Sequence, residues 1–233
     1  MNILAIESAA VSAGAAVLCD DRLVSEQFLN NGLTHSQTLL PLIDAALCAA
    51  GKTIGDMDAV AVSAGPGSFT GVRIGMGTAK GLALGADLPL IPVPTLLGLA
   101  YNAVAYNGII VPIMDARRNE VYTATYAAQD GVLEEIAPMR AMPLADLLEE
   151  LDTALFVGDG VPVYRNIILE KMGDGACFAP NHLLYHRASS VAMAARNIAP
   201  VSPHDAAPFY LRLSQAEREY MNKKENENDR NRQ

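Results

Sequence analysis

The sequence predicts an α/β protein of two tandem units, each a mixed sheet covered by helices. The order strand, strand, strand, helix, strand, helix is legible twice, once before and once after about residue 107. In each half a short apolar strand breaks at a glycine-bearing turn and restarts as a helix, at Gly65-Pro66-Gly67 and at Gly158-Asp159-Gly160. Hairpin-linked strands early in a unit and crossover helices later in it give a mixed sheet rather than a purely parallel one. Identity between the halves is slight, so the repeat is one of topology.

The elements follow in order. Strands are expected at Asn2 to Ser8, Ser12 to Asp20 and Arg22 to Leu29, with Asp20-Asp21 as a hairpin turn. A helix from about His35 to Ala50 carries one apolar row at Leu39, Ile43, Ala46, Leu47 and Ala50 and a second at Leu42, Ala45 and Ala49, which predicts burial on two sides. A strand from Asp58 to Ser63, a glycine-rich helix, a strand from Leu90 to Val93 and a helix from Thr95 to Ala105 complete the first unit. The second opens with strands at Ile109 to Asp115, Glu120 to Ala127 and Val132 to Pro138, the last two joined at Asp130-Gly131. A loop (Pro138 to Pro143), a helix (Leu144 to Leu151), a strand (Ala154 to Val157) and a helix (Val163 to Met172) follow. The units are 1–107 and 108–222 with a hinge near Tyr106 to Gly108, and the polar tail 223–233 is expected to be disordered. Two such units in tandem, each ribonuclease-H-like, are what the actin-like, Hsp70-like ATPase fold requires.

Composition narrows the function. Of 233 residues, 51% are hydrophobic and 18% charged, enough for sizeable cores. The formal charge of −9 argues against gripping nucleic acid by phosphate neutralisation, so RNA would be held by something else. Apolar runs are short, which predicts no transmembrane helix, and the opening MNILAIES reads as a strand rather than a signal peptide. The cysteines Cys19, Cys48 and Cys177 are odd in number and unclustered, which suits buried free thiols in a reducing cytoplasm.

The most informative segment is SAGPGSFTGVRIGMGTAKGLALG, Ser63 to Gly85. Gly71, Gly75, Gly77, Gly81 and Gly85 fall within an arc of about 160° on a wheel of roughly 100° per residue. Each glycine costs a helix about 1 kcal/mol relative to alanine, so a bare face predicts close approach of another element. The opposite face carries Val72, Met76, Ala79 and Ala83, bordered by Arg73 and Lys80. The loop before the helix is no P-loop, since Gly71 is followed by Val72-Arg73, and no dinucleotide fingerprint, since it has an extra residue and a proline. Ser68 or Thr70 as helix cap with glycines for packing is one reading, a vestigial phosphate cradle the other. Glu7, Ser8, Asp115 and Asp159 are candidates for a weak nucleotide site between the halves, or are strand-end residues satisfied by backbone amides.

The GPGSFTGVRIG stretch, the opening ILAIES, His35-Ser36-Gln37 before LLPLID, MDARRNEVY (Met114 to Tyr122) and YLRLSQAERE (Tyr210 to Glu219) resemble the bacterial tRNA threonylcarbamoyladenosine biosynthesis family TsaB, the YeaZ-like proteins. The resemblance spans the chain. It implies a non-catalytic cytoplasmic subunit that docks on a TsaD-like catalytic subunit, is joined by a TsaE-like ATPase, meets tRNA only through that complex, and pairs with itself when alone. It also implies a docking surface on the two first-half helices, assigned to Leu39, Leu42, Ile43, Ala46, Val72, Arg73, Met76, Ala79, Lys80 and Ala83. On that assignment Met76→Glu or Val72→Glu abolishes tRNA modification and leaves the fold intact. In relatives of the fold the first strand ends in Asp followed by hydroxyl residues; here Glu7-Ser8-Ala9-Ala10 leaves weak ATP or ADP binding and no resident cofactor as the expectation. The catalytic sister family carries an HxxxH metal pair in its first half, where this chain has IPVPTLLGLA. His182 and His186 have that spacing but lie late in the second half, so no metal is expected. Arg212, Gln215 and Glu217 read as C-terminal anchors. An enzyme of the same superfamily, metallopeptidase-like or an ATP-dependent transferase, is the alternative, and a free-standing homodimer with a separate role a third.

Overall fold

The computed structural model describes residues 1–212. The first half folds as β1 (Asn2–Glu7), β2 (Ala13–Cys19), β3 (Arg22–Leu29), α1 (His35–Ala49), β4 (Ala59–Gly65), α2 (Phe69–Gly85), β5 (Leu90–Pro94) and α3 (Thr95–Ala100). The second folds as β6 (Gly108–Asp115), β7 (Glu120–Gln129), β8 (Val132–Pro143), α4 (Leu144–Glu149), β9 (Ala154–Val157), α5 (Gly160–Met172) and β10 (Ala176–Phe178), followed by α6 (Ala188–Ala195). The sheet orders are β3-β2-β1-β4-β5 and β10-β9-β6-β7-β8. They match position for position: β1 and β6 each pair antiparallel with the next strand and parallel with the strand after the first helix. The tandem repeat is therefore real, and it is the actin-like arrangement.

Alternation along β1 shows how the first sheet is covered. Leu4 and Ile6 face a core built with α1 and α2, whose Leu39, Ile43, Met76 and Ala79 are buried there. Ile3 and Ala5 face the other way, against Val191, Ala192 and Ala195 of α6. Such two-sided burial turns a strand into a continuous apolar run. The larger second-half core gathers Ile110, Ile113, Phe156, Leu147 and Ile168 with Leu96 and Leu99 of α3.

Three boundaries differ most from the sequence reading, and two elements were not expected. The stretch expected as a loop after Pro138 continues β8, pairing Arg140 to Pro143 with Thr123 to Glu120. Its prolines are tolerated because β8 is an edge strand, where a missing N–H leaves no neighbour unpaired. α3 stops at Ala100 and tightens into a 3-10 turn, Tyr101–Ala103, while α5 begins at Gly160, three residues early. β10, three residues long, and α6 carry no periodic signal; α6 reads ASSVAMAA, small residues buried nearly all round. α6 also packs on the first sheet although its sequence lies in the second half. Glu26 of β3 fixes its start, accepting hydrogen bonds from Ser189 N (3.0 Å), Ser189 Oγ (2.8 Å) and Arg187 Nη2 (2.6 Å).

The three cysteines are free, but Cys48 and Cys177 are exposed and Cys19 half-buried, so the expected burial does not hold. Among the described residues no helix is long and apolar enough to cross a membrane. The tail 223–233 and the anchors Gln215 and Glu217 lie outside the described residues.

Candidate functional site

The glycines of α2 divide into two groups with different jobs. A Cβ on Gly71 would collide with the Ser8 carbonyl and one on Gly75 with the Ser8 hydroxyl. The end of β1 is therefore wedged against the start of α2, and Ser8 Oγ donates to the Gly71 carbonyl at 2.9 Å. Gly77, Gly81 and Gly85 meet nothing within 4 Å and face solvent. Ser68 caps the helix, its Oγ accepting from Gly71 N at 3.3 Å. Ser68 N already donates to the Ala9 carbonyl at 2.7 Å. Two amides that a phosphate cradle would use are thus engaged within the protein, as the capping and packing reading requires.

The docking residues assigned from the sequence are largely misplaced. Leu39, Ile43, Ala46, Val72, Met76, Ala79 and Ala83 are at most 3% exposed, and all of these except Val72 are placed in the core between the helices and the first sheet. They form the inner face because bulky apolar side chains fill the gap to the sheet, which glycines would leave empty. Met76→Glu or Val72→Glu would bury a charge and break the fold, contrary to the expectation. Leu42 and Lys80 are half-buried and Arg73 exposed. The accessible face is the other one: Leu40, Ala45 and Ala49 on α1 with Gly77, Gly81 and Leu84 on α2. Leu40 is 58% and Leu84 49% exposed. An apolar groove of about 460 Å³ beside it is lined by Leu40, Leu47, Ile54 and Leu82 among others. The second apolar row read on the His35 helix was the signal for this face, whereas a glycine stripe cannot say which side meets solvent.

Between the sheets lies a cleft of about 540 Å³. Its walls are Ala9 to Val11 after β1, Pro66 to Phe69 before α2, Met114 to Arg117 after β6, Tyr122, Asp159, and Phe209 to Arg212. Of the four nucleotide-site candidates, Asp115 and Asp159 reach this surface. Asp115 accepts from Tyr164 Oη (2.7 Å) and Arg117 N (2.8 Å), with the Arg117 guanidinium 3.3 Å away. Asp159 keeps one buried oxygen without a partner, and burial first, then the Asp115 charge, lifts its carboxyl to about 6. Glu7 and Ser8 lie under the floor. Glu7 is 1% exposed, accepts from Ser63 Oγ and from Ala9 N (2.6 Å), and burial pushes its carboxyl up to about 7. The parallel register Ile6 to Val62 is what sets Glu7 beside Ser63.

The histidines do not converge. His35 Nε2 bonds the Ala10 carbonyl at 2.7 Å. His186 is 1% exposed with neither ring nitrogen partnered, and burial depresses it to about 3. A ring sealed in this way cannot share a ligand with His182. Among the described residues no three His, Cys, Asp or Glu side chains gather in a metal-holding group. Sequence reasoning missed the segment Phe209 to Arg212 as a cleft wall, and only its aromatic-aromatic-Leu-Arg wording could have drawn notice.

Comparison with known proteins gives consistent matches. The family model of TsaD, tRNA N6-adenosine threonylcarbamoyltransferase, matches residues 31–220. The tRNA threonylcarbamoyladenosine biosynthesis protein TsaB of Bacillus subtilis is 33% identical over 225 residues, covering 95% of this chain and 98% of that one. The structure of YeaZ from Pseudomonas aeruginosa superposes with a TM-score of 0.74 at 27% identity, covering 90% of this chain and 99% of that one. At 8% identity and a TM-score of 0.52, an activator of 2-hydroxyisocaproyl-CoA dehydratase from Clostridium difficile, solved with bound ADPNP, shares the fold alone over 84% of this chain and 94% of that one.

Proposed function

This chain belongs to the TsaB, YeaZ-like family of tRNA threonylcarbamoyladenosine biosynthesis proteins, and we propose that it acts there as a non-catalytic docking subunit. In this reading it seats the exposed face of α1 and α2 on a TsaD-like transferase. The transferase moves a threonylcarbamoyl group to the adenosine beside the anticodon of tRNAs reading codons that begin with A. The docking subunit does no bond chemistry. It binds one conformation of its partner better than the others and so raises that conformation's population. A TsaE-like ATPase joins at the junction, and tRNA is met through the complex, in keeping with a net charge of −9. In the absence of the transferase the same face pairs with a second copy.

The observation that carries this reading is a pair of adjacent helices whose outer side is largely apolar or bare, at Leu40, Ala45, Ala49, Gly77, Gly81 and Leu84, with Asp44 among them. Glycines facing solvent at Gly77 and Gly81 gain nothing for the isolated fold, whereas a partner helix gains close approach. The cleft supports weak ATP or ADP binding at most. Arg117 and Arg212 offer cations to phosphates, but Asp115 and Asp159 lie in the same walls and the Ser68 and Gly71 amides are engaged.

Light scattering on this chain, on the TsaD homologue of its genome, and on their mixture tests the proposal. The expected result is a one-to-one complex that Leu40→Glu or Leu84→Glu abolishes without lowering thermal stability. Failure of the unaltered proteins to associate, or a complex indifferent to both substitutions, overturns it.

A further inference from the structure

We infer that residues Phe209 to Arg212 form a salt-sensitive clasp across the cleft, tying the first lobe to Glu120 of the second. The clasp is approached along the first lobe. Val201 exchanges backbone hydrogen bonds with Leu90 of β5 at 2.8 and 3.0 Å, and Ala206 is buried with α2 in the first core. Phe209 N then donates to the Ala64 carbonyl at the end of β4, at 2.6 Å. Tyr210 stacks on Phe69 with centroids 5.0 Å apart and accepts from Arg73 Nε at 2.8 Å, while the Arg73 guanidinium lies 3.6 Å over the Phe69 ring. Two residues later the chain has crossed to the second lobe. There Arg212 Nη2 meets Glu120 Oε2 of β7 at 2.6 Å, and Nη1 reaches the Ala116 carbonyl at 3.4 Å.

The two ends are unequal. The first-lobe end has a short main-chain bond, a buried alanine behind it and an aromatic-guanidinium stack. Among the described residues the second-lobe end rests on an ion pair whose side chains are 20% and 33% exposed, a long hydrogen bond, and a guanidinium 5.7 Å from the Tyr122 ring. Ion pairs this accessible change an equilibrium by about fivefold at most, and salt weakens them. The Arg212–Glu120 ion pair is therefore the contact that salt or a charge change releases, and the cleft widens when it goes, since Phe209 to Arg212 form one of its walls. This follows from the cleft alone and stands or falls apart from the docking reading.

The test measures lobe separation directly. Spin labels at Thr70 and Arg118, exposed on opposite sides of the cleft, are introduced into the full chain after Cys19, Cys48 and Cys177 are replaced by alanine. The parent should give a dominant short distance with a minor longer one. Glu120→Gln should enlarge the longer population about fivefold, as should NaCl at about 1 M on the parent, and the double exchange Arg212→Glu with Glu120→Arg should restore the short one. A distance distribution unmoved by salt and by Glu120→Gln overturns the clasp, as does an opened state that the charge exchange fails to close.

Discussion

Gly77→Ala with Gly81→Ala should stabilise this protein and weaken its docking at the same time. Both positions lie inside the seventeen-residue helix α2, and a Cβ at either meets nothing within 4 Å. Alanine therefore adds helix propensity without a clash, worth about 1 kcal/mol at each site and about 2 kcal/mol together. For a chain of this length each kcal/mol moves the melting temperature by about 2–4 °C, so the double variant should melt about 4–8 °C higher. Gly71→Ala, about two to three turns earlier, should do the opposite. Its Cβ would collide with the Ser8 carbonyl, and displacing that backbone costs about 1–3 kcal/mol or more. Calorimetry on the three proteins reads the stability, and light scattering with the TsaD homologue reads the docking. A double variant no more stable than the parent would refute the placement of these glycines in open space. One that is more stable and docks at full strength would refute the argument that the bare stripe seats a partner.

Other perturbations test other parts of the structure. Glu7 is held at about 7 against an ordinary 4.5, so the folded state binds its proton the more tightly. That contribution is complete below pH 4.5 and is lost as pH rises through about 7, a difference of about 3 kcal/mol. Glu7→Gln should therefore unfold at higher denaturant than the parent at pH 8 and lose the advantage near pH 5; equal midpoints at both would dismiss the buried-carboxyl account. His186 runs the other way. It is held near 3 against an ordinary 6.5, so its contribution is complete above pH 6.5 and falls as pH drops toward 3. His186→Met should flatten the acid limb of the stability curve by about 2–3 kcal/mol near pH 4.5. Glu26→Ala should lower stability by about 2–3 kcal/mol, because Arg187 and Ser189 lose a nearly buried acceptor. Hydrogen exchange should show the α6 amides loosening first.

Much of the architecture was legible because periodicity and punctuation speak plainly. The hairpin at Asp20-Asp21, the turn at Asp130-Gly131 and the two strand-glycine-helix joints mark the repeat without help from any contact. α6 was not legible, since a helix of alanines and serines buried nearly all round has no polar face to give it a period. The continuation of β8 past Pro138 was masked by prolines that only an edge position makes harmless. Asp115 and Asp159 could be named from their strand ends, and the parallel pairing of β6 with β9 sets them side by side; what faces them, Ala9 to Val11 and Pro66 to Phe69 of the first half, depends on how two sheets are set together. Arg212 could be suspected from its phrase, whereas its partner Glu120 stands far off in the chain at the start of β7.

The sequence by itself determined the repeat, the positions of most strands and helices, the family, and the fact that α2 has one bulky and one bare face. Only the tertiary structure decided which of those faces points inward. A helical wheel records differences around a helix but carries no reference to the sheet beneath it, and small residues suit a tight core and an open surface equally. The decision came from volume. Met76, Ala79 and Ala83 fill the gap above β1 and β4, while Gly71 and Gly75 make room for Ser8 at the end of β1. With those contacts made, Gly77 and Gly81 have nowhere to face but solvent.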